Sequence, residues 1–143
     1  MYRRHKKVTQ VFLVHPGGPF WKNKDEGAWS IPKGEYEASE DPLKAAIREF
    51  EEETGSSPAG GFLLLSAIRL KSGKQVIAWA VEGEIDPATI VSNLISIDWP
   101  PKSGKKLEIP EVDKAGWFSI AEGMKKINPA QASFILELEE HLG

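Results

Sequence analysis

No cysteine occurs in this chain, and only three histidines do. Disulfides and thiolate metal sites are thereby excluded, so any metal ion must be held by oxygen or imidazole, which suits Mg²⁺ or Mn²⁺. Long apolar runs are also missing. The stretch beginning Phe62-Leu63-Leu64-Leu65 is far shorter than the about 20 residues of a membrane-crossing helix. Met1 is followed by Arg3, Arg4, Lys6 and Lys7 without a signal-peptide pattern, so the chain reads as a cytoplasmic protein with no membrane association. Positive charge is in deficit, with 18 Lys and Arg against 21 Asp and Glu. A net charge of -3 argues against nucleic acid as a partner, since such binding relies on an excess of cations near phosphates. Small molecules are the better-matched partners, and the oligomeric state is left open. Repeats and dividing linkers are absent, and 143 residues suit one domain, 1–143.

What is present alternates in type along the chain. Val8 to His15 contains the unbroken apolar run Val11-Phe12-Leu13-Val14, which predicts a central strand covered on both faces. Only Met1 to Arg4 precede a turn at His5 to Lys7, so either a strand before Val8 is cut short or the sequence begins late, and one sheet neighbour is then expected to be missing. Phe62 to Leu70 and Val76 to Val81 flank Lys71-Ser72-Gly73-Lys74 and predict an antiparallel pair. Shorter strands are expected at Leu94 to Ile97 and Ala115 to Phe118, and helices at Ser119 to Lys126 and Asn128 to Leu142. The order implies an α/β (α+β) fold, a mixed sheet with helices on its faces.

The clearest helix spans Pro42 to Thr54, with Asp41 as N-cap, Pro42 at the first position and Gly55 as the left-handed stop. Leu43, Ala46, Ile47, Phe50 and Thr54 form one stripe to bury against the sheet. Glu49, Glu52 and Glu53 fall on its flank at i, i+3 and i+4, where they repel one another. Cations are favoured at a helix C-terminus and carboxylates are not, so the macrodipole opposes these side chains too. Glu-rich faces are commonly only solvated. A divalent cation, however, turns the same repulsion into three hard oxygen donors.

Gly34, Glu40, Arg48, Glu49, Phe50, Glu52, Glu53 and Gly55 match the pattern G-x5-E-x7-R-E-U-x-E-E-x-G-U, with U a bulky apolar residue. This resembles the signature of the Nudix hydrolases over residues 34–56. Seven fixed residues match a given position by chance on the order of once in 10⁸. Trp29-Ser30-Ile31-Pro32-Lys33-Gly34 resembles the approach to that signature in many members; preceded by His15-Pro16-Gly17-Gly18-Pro19-Phe20-Trp21 it resembles a bacterial branch of predicted nucleoside-triphosphate pyrophosphohydrolases, and diadenosine polyphosphate hydrolases are similar around Pro-Lys-Gly. The final apolar position holds Ser56, which puts the packing of the loop behind the helix in question.

The resemblance implies an α/β/α sandwich and a Mg²⁺- or Mn²⁺-dependent hydrolase of diphosphate linkages in a nucleoside triphosphate or dinucleoside polyphosphate. Glu49, Glu52, Glu53 and the Gly34 carbonyl would hold the cation, and Arg48 would brace Glu40 or a catalytic carboxylate. The general base would be Glu49 or Glu52, or lie outside the signature at Glu108, Glu111 or Asp113, with Glu111 the foremost of these. Lys33 is placed to meet a phosphate, and Lys102, Lys105 and Lys106 in the loop Pro100–Lys106 offer a grip on a polyphosphate chain. Trp21 and Trp99, in Gly/Pro-rich loops, offer stacking surfaces for a base. A charged solvent loop and ordinary anchoring tryptophans are the plainer readings of those segments. His15 reads as a structural hydrogen-bonder and Arg3 to Lys7 as a solvated turn. The alternative to an enzyme is a non-catalytic nucleotide-binding sensor of the same fold, although such proteins generally lose signature carboxylates that are all present here.

Overall fold

The computed structural model describes residues 1–33 and 39–143. Its centre is β2 (Val8–Pro16), in which Val11, Phe12, Leu13, Val14 and His15 are all buried, as the apolar run predicts. Successive side chains of a strand point to opposite faces, so this run demands cover on both. Val11 and Leu13 join Trp29, Ile127, Phe134, Ile135 and Leu138 on one face, whereas Phe12 and Val14 pack with Phe50 and Val112 on the other. Helix α1 (Pro42–Thr54) covers the second face, and α3 (Ala132–Leu142) covers the first together with α2 (Ile120–Lys126). The result is an α/β/α sandwich.

The strand expected to be cut short is present. β1 (Tyr2–His5) pairs antiparallel with β2 from Tyr2↔Val11 to His5↔Val8. The two are joined by Lys6 (φ 51°) and Lys7 (φ 67°), whose left-handed backbones give the twist a two-residue hairpin needs. On its other side Tyr2 forms a parallel bridge with Glu82, its N–H donating to the Val81 carbonyl (2.9 Å) and its carbonyl accepting from Gly83 N–H (3.0 Å). No sheet neighbour is lacking there, and the sheet is mixed. Arg3 is correspondingly no solvated turn residue: it donates to Glu84 and Gln10 and lies 4.3 Å from the Trp117 ring centroid. β9 (Val112–Ser119) completes the three-stranded core on the far side of β2, with a register shift at His15/Pro16.

The antiparallel pair expected over Phe62–Val81 forms, but in pieces. β3 (Leu63–Leu64) pairs with β6 (Trp79–Ala80), and β4 (Ile68–Arg69) with β5 (Gln75–Val76). The ladder breaks between them because Ser66 N–H turns to the Glu137 carboxylate of α3, at 2.8 and 3.0 Å. β7 (Leu94–Asp98) finds its partner in β8 (Lys106–Pro110), a strand not anticipated although Leu107 and Ile109 alternate with polar residues. The segment Pro100–Lys105 is the turn of this hairpin, and Glu108 is exposed on β8. The last helix is shorter than predicted, because Asn128 caps a separate 3-10 turn over Pro129–Gln131 before α3 begins.

Candidate active site

Local chemistry sets both ends of α1. The Asp41 carboxylate accepts from Lys44 N–H at 3.0 Å, and Gly55 (φ 78°) closes the C-terminus by donating to Glu51 O. Two further C-terminal carbonyls, which a helix cannot satisfy internally, are met from outside. Val91 N–H donates to Thr54 O (2.9 Å) and Asn93 N–H to Glu52 O (2.7 Å). Asn93 O in turn accepts from Glu111 N–H (3.0 Å), and Ser92 Oγ accepts from Val112 N–H (3.0 Å). The segment Val91–Asn93 thus ties the carboxylate end of α1 to the junction of β8 and β9, which carries Glu111. Ser56, in the apolar position of the signature, is half-buried and donates its N–H to Thr54 Oγ1 at 3.2 Å.

The carboxylates do not stay on the outer flank of the helix. Glu49 is only 8% exposed and Glu53 5%, while Glu52 is half-buried. Glu49 and Glu53 continue the i+4 row of buried Ala45, beside Phe50 and Thr54, and this double row beds on the sheet. Leu43, Ala46 and Ile47, the rest of the expected stripe, are only half-buried. Burial first, then Glu111, then Glu49, push the Glu53 carboxyl up to about 9, against a favourable hydrogen bond from Lys33 N–H. Glu49 is also raised, by burial and by Glu52 and Glu111, with Arg48 opposing. Four carboxylates therefore feel one another's charge.

Arg48 answers part of it. Its Nε and Nη2 donate to the two oxygens of Glu40 at 2.9 and 3.1 Å, and its Nη1 lies 3.1 Å from both a Glu49 and a Glu52 oxygen. Lys33 N–H donates to Glu53 Oε2 at 2.7 Å, so the backbone approaching the signature is anchored on a signature carboxylate. Gly34 lies outside the described residues. Among those described, no three acidic or imidazole side chains converge on one point in this conformation. The donor set nevertheless fits a hard divalent cation: its acids resist ionisation alone, and one guanidinium nitrogen already bridges two of them as a cation.

A cavity of about 990 Å³ opens beside these groups, with Lys33, Glu49, Glu52 and Glu111 in its wall. The other residues singled out in the sequence lie elsewhere. Trp21 packs edge-to-face on Phe20 at 5.0 Å, with the Lys24 ammonium 3.4 Å from the Phe20 centroid, and it does not line the cavity. Trp99 and exposed Lys105 close the β7–β8 turn, where Trp99 N–H donates to Lys105 O, and neither reaches the cavity. Asp113 accepts from His15 Nδ1 at 2.8 Å, while His15 Nε2 donates to Lys24 O at 2.6 Å. Through its two ring nitrogens this fully buried side chain pins the loop after β2 to β9. Trp79 and Gln75, which do line the cavity, were not recognised as site residues. Their signal was the two-residue alternation Gln75, Ile77, Trp79 in a segment assigned only as strand.

The NUDIX domain family matches residues 1–138. The chain belongs to the NUDIX family. Comparison with curated proteins finds no match. Among solved structures, this NUDIX chain is similar to the NUDIX domain of Shewanella oneidensis NrtR in complex with ADP ribose, at TM-score 0.68 and 15% identity over 99% of this chain and 83% of that one. It is similar to a C. elegans Ap4A hydrolase in a binary complex, at 0.61 and 18% over 99% and 91%. The E. coli ORF135 protein gives 0.59 and 18% over 97% and 84%. These likenesses are of fold, and the NUDIX fold accounts for the sandwich and for the place of α1 in it.

Proposed function

We propose that this NUDIX pyrophosphohydrolase cleaves a diphosphate linkage in a nucleoside triphosphate or dinucleoside polyphosphate with the help of Mg²⁺ or Mn²⁺, in the cytoplasm. The observation that carries the reading is the gathering of Glu49, Glu52 and Glu111 in the wall of a cavity that Lys33 also lines, with buried Glu53 close enough to feel the charge of Glu111 and Glu49. Glu49, Glu52 and Glu53, with the Gly34 carbonyl, are the residues that would hold the cation, which when bound supplies charge neutralisation at the phosphate oxygens. Lys33 meets the phosphate chain as a point charge. Arg48 keeps Glu49 and Glu52 in place through its fork on Glu40. Glu111, whose backbone is tied to α1 through Asn93, takes the proton of the attacking water as its oxygen bonds to phosphorus and the anhydride P–O bond breaks. The fold-level likeness to an Ap4A hydrolase agrees with a polyphosphate substrate.

The test is a panel of nucleoside triphosphates, dinucleoside polyphosphates, nucleotide sugars and inositol pyrophosphates incubated with Mg²⁺ in ¹⁸O-water, with products resolved by mass spectrometry. Label in one phosphate product of a triphosphate or dinucleoside polyphosphate is the expected result, and it names the phosphorus attacked. Binding of these ligands without any product points instead to a nucleotide sensor.

A further inference from the structure

The cavity extends beyond the carboxylates into space that the core ought to fill. Leu43, Ala46 and Ile47 on α1 and Ile77 and Trp79 on the facing strand segment all line it. None of the five packs into either buried hydrophobic cluster. Ala78 and Ala80 belong to the cluster under α3 and, with Phe134, Ile135 and Leu138 of that helix, line the same cavity, which therefore reaches from α1 to α3 past this strand segment. A space of about 990 Å³ matches the upper size of sites for small ligands, and it is continuous with Lys33, Glu49, Glu52 and Glu111. Apolar side chains left unpacked around such a space lose dispersion contacts that a ligand restores.

The polar groups in the wall narrow what that ligand is. Gln75, shortly before Ile77 and Trp79 in the chain, lines the same cavity and is exposed. Among the described residues, neither its side-chain amide nor the Trp79 indole N–H has a hydrogen-bond partner. An indole face beside aliphatic side chains suits a flat heterocycle, and an amide carrying both donor and acceptor suits the hydrogen-bonding edge of a base.

We infer that this cavity is the nucleobase subsite of the substrate: the base lies on Trp79 against Ile47 and Leu43 with its edge toward Gln75, while the phosphates reach Lys33 and the carboxylates. This rests on the proposed function for its phosphate end. It also assigns specificity to Trp79 and Gln75 rather than to Trp21, Trp99 or Lys105, none of which lines the cavity.

Two non-cleavable ligands separate the inference from the reading beneath it. Calorimetry in Mg²⁺ compares methylenediphosphonate with the α,β-methylene analogues of the four ribonucleoside diphosphates, which add only a nucleoside. The wild-type protein should prefer at least one nucleoside analogue over methylenediphosphonate by tenfold or more, and absence of that preference overturns the subsite. Trp79→Ala and Ala46→Phe should each lower the preference at least fivefold. Ala46→Phe should also hold or raise Tm, since it fills the space; a raised Tm with the preference intact would show an underpacked core and nothing more. Gln75→Ala should flatten the ranking of the four bases at least threefold, and an unchanged ranking removes Gln75 from the subsite. If the preference and its loss are seen but no nucleotide is cleaved, the proposed reaction fails and the subsite stands.

Discussion

The Glu53 carboxyl offers a quantitative test of how the acidic cluster is held. Folding raises it from an ordinary 4.5 to about 9, chiefly by burial. A raised acid binds a proton in the folded state that the unfolded chain has released, so stability falls as pH rises from about 4.5 to about 9. One such proton corresponds to about 1.4 kcal/mol per pH unit, or at most about 4 kcal/mol between pH 5 and pH 8. Glu53→Gln has nearly the same shape, keeps an oxygen to accept from Lys33 N–H, and does not titrate. In EDTA its urea-unfolding free energy should match the wild type at pH 5 and exceed it at pH 8 by at least about 1.5 kcal/mol, a share of that upper limit. Mg²⁺ favours the ionised cluster, so adding it should shrink the gap. Parallel curves for the two proteins in EDTA would refute the argument that burial holds this acid protonated.

Four further outcomes follow from the same geometry. Glu52→Gln should leave circular dichroism unchanged and lower kcat by about 100-fold or more on whichever nucleotide the panel identifies, as expected when a charged group is removed from a preorganised site. Saturating Mg²⁺ at about 100 times Kd should stabilise the wild type by about 2.7 kcal/mol in a melting assay at pH 7.5, and a shift near zero removes the cation site. Gly55→Ala should cost about 2 kcal/mol in chemical unfolding, because the left-handed backbone disfavours a side chain and the new Cβ would sit 3.2 Å from Val91 O. Since Val91 leads into the Asn93 tether to Glu111, activity should fall as well. His15→Gln should cost about 2 kcal/mol by urea unfolding, as it leaves Asp113 or Lys24 O without its hydrogen-bond partner.

Local rules carried the sequence reading a long way. Asp41, Pro42 and Gly55 define the helix ends through backbone conformation and capping, which need no distant partner, and the observed helix is Pro42–Thr54. The run Val11–Val14 required a strand covered on two faces, since no other arrangement hides consecutive apolar side chains. The pattern over residues 34–56 pointed to the family by resemblance to its signature, while helical spacing showed only that Glu49, Glu52 and Glu53 share one flank.

What a one-dimensional pattern lacks is the identity of the neighbour. Whether β1 had a second partner depended on Val81–Gly83, 80 residues away, and the ladder was broken between its β3–β6 and β4–β5 pieces by a carboxylate from the last helix. Helical periodicity placed Glu49 and Glu53 on one flank, yet only the sheet beneath α1 decided that this flank is buried and that Leu43, Ala46 and Ile47 face open space. The stacking residue was sought among tryptophans in loops, whereas the indole lining the cavity stands on a strand. The sequence by itself determined α1 with its caps, the doubly covered central strand and the crowding of carboxylates along one helix, because those depend on nearest neighbours along the chain. Which faces meet, how deeply the acids sink and where the cavity opens came only with tertiary packing, because burial is a property of what lies across the gap.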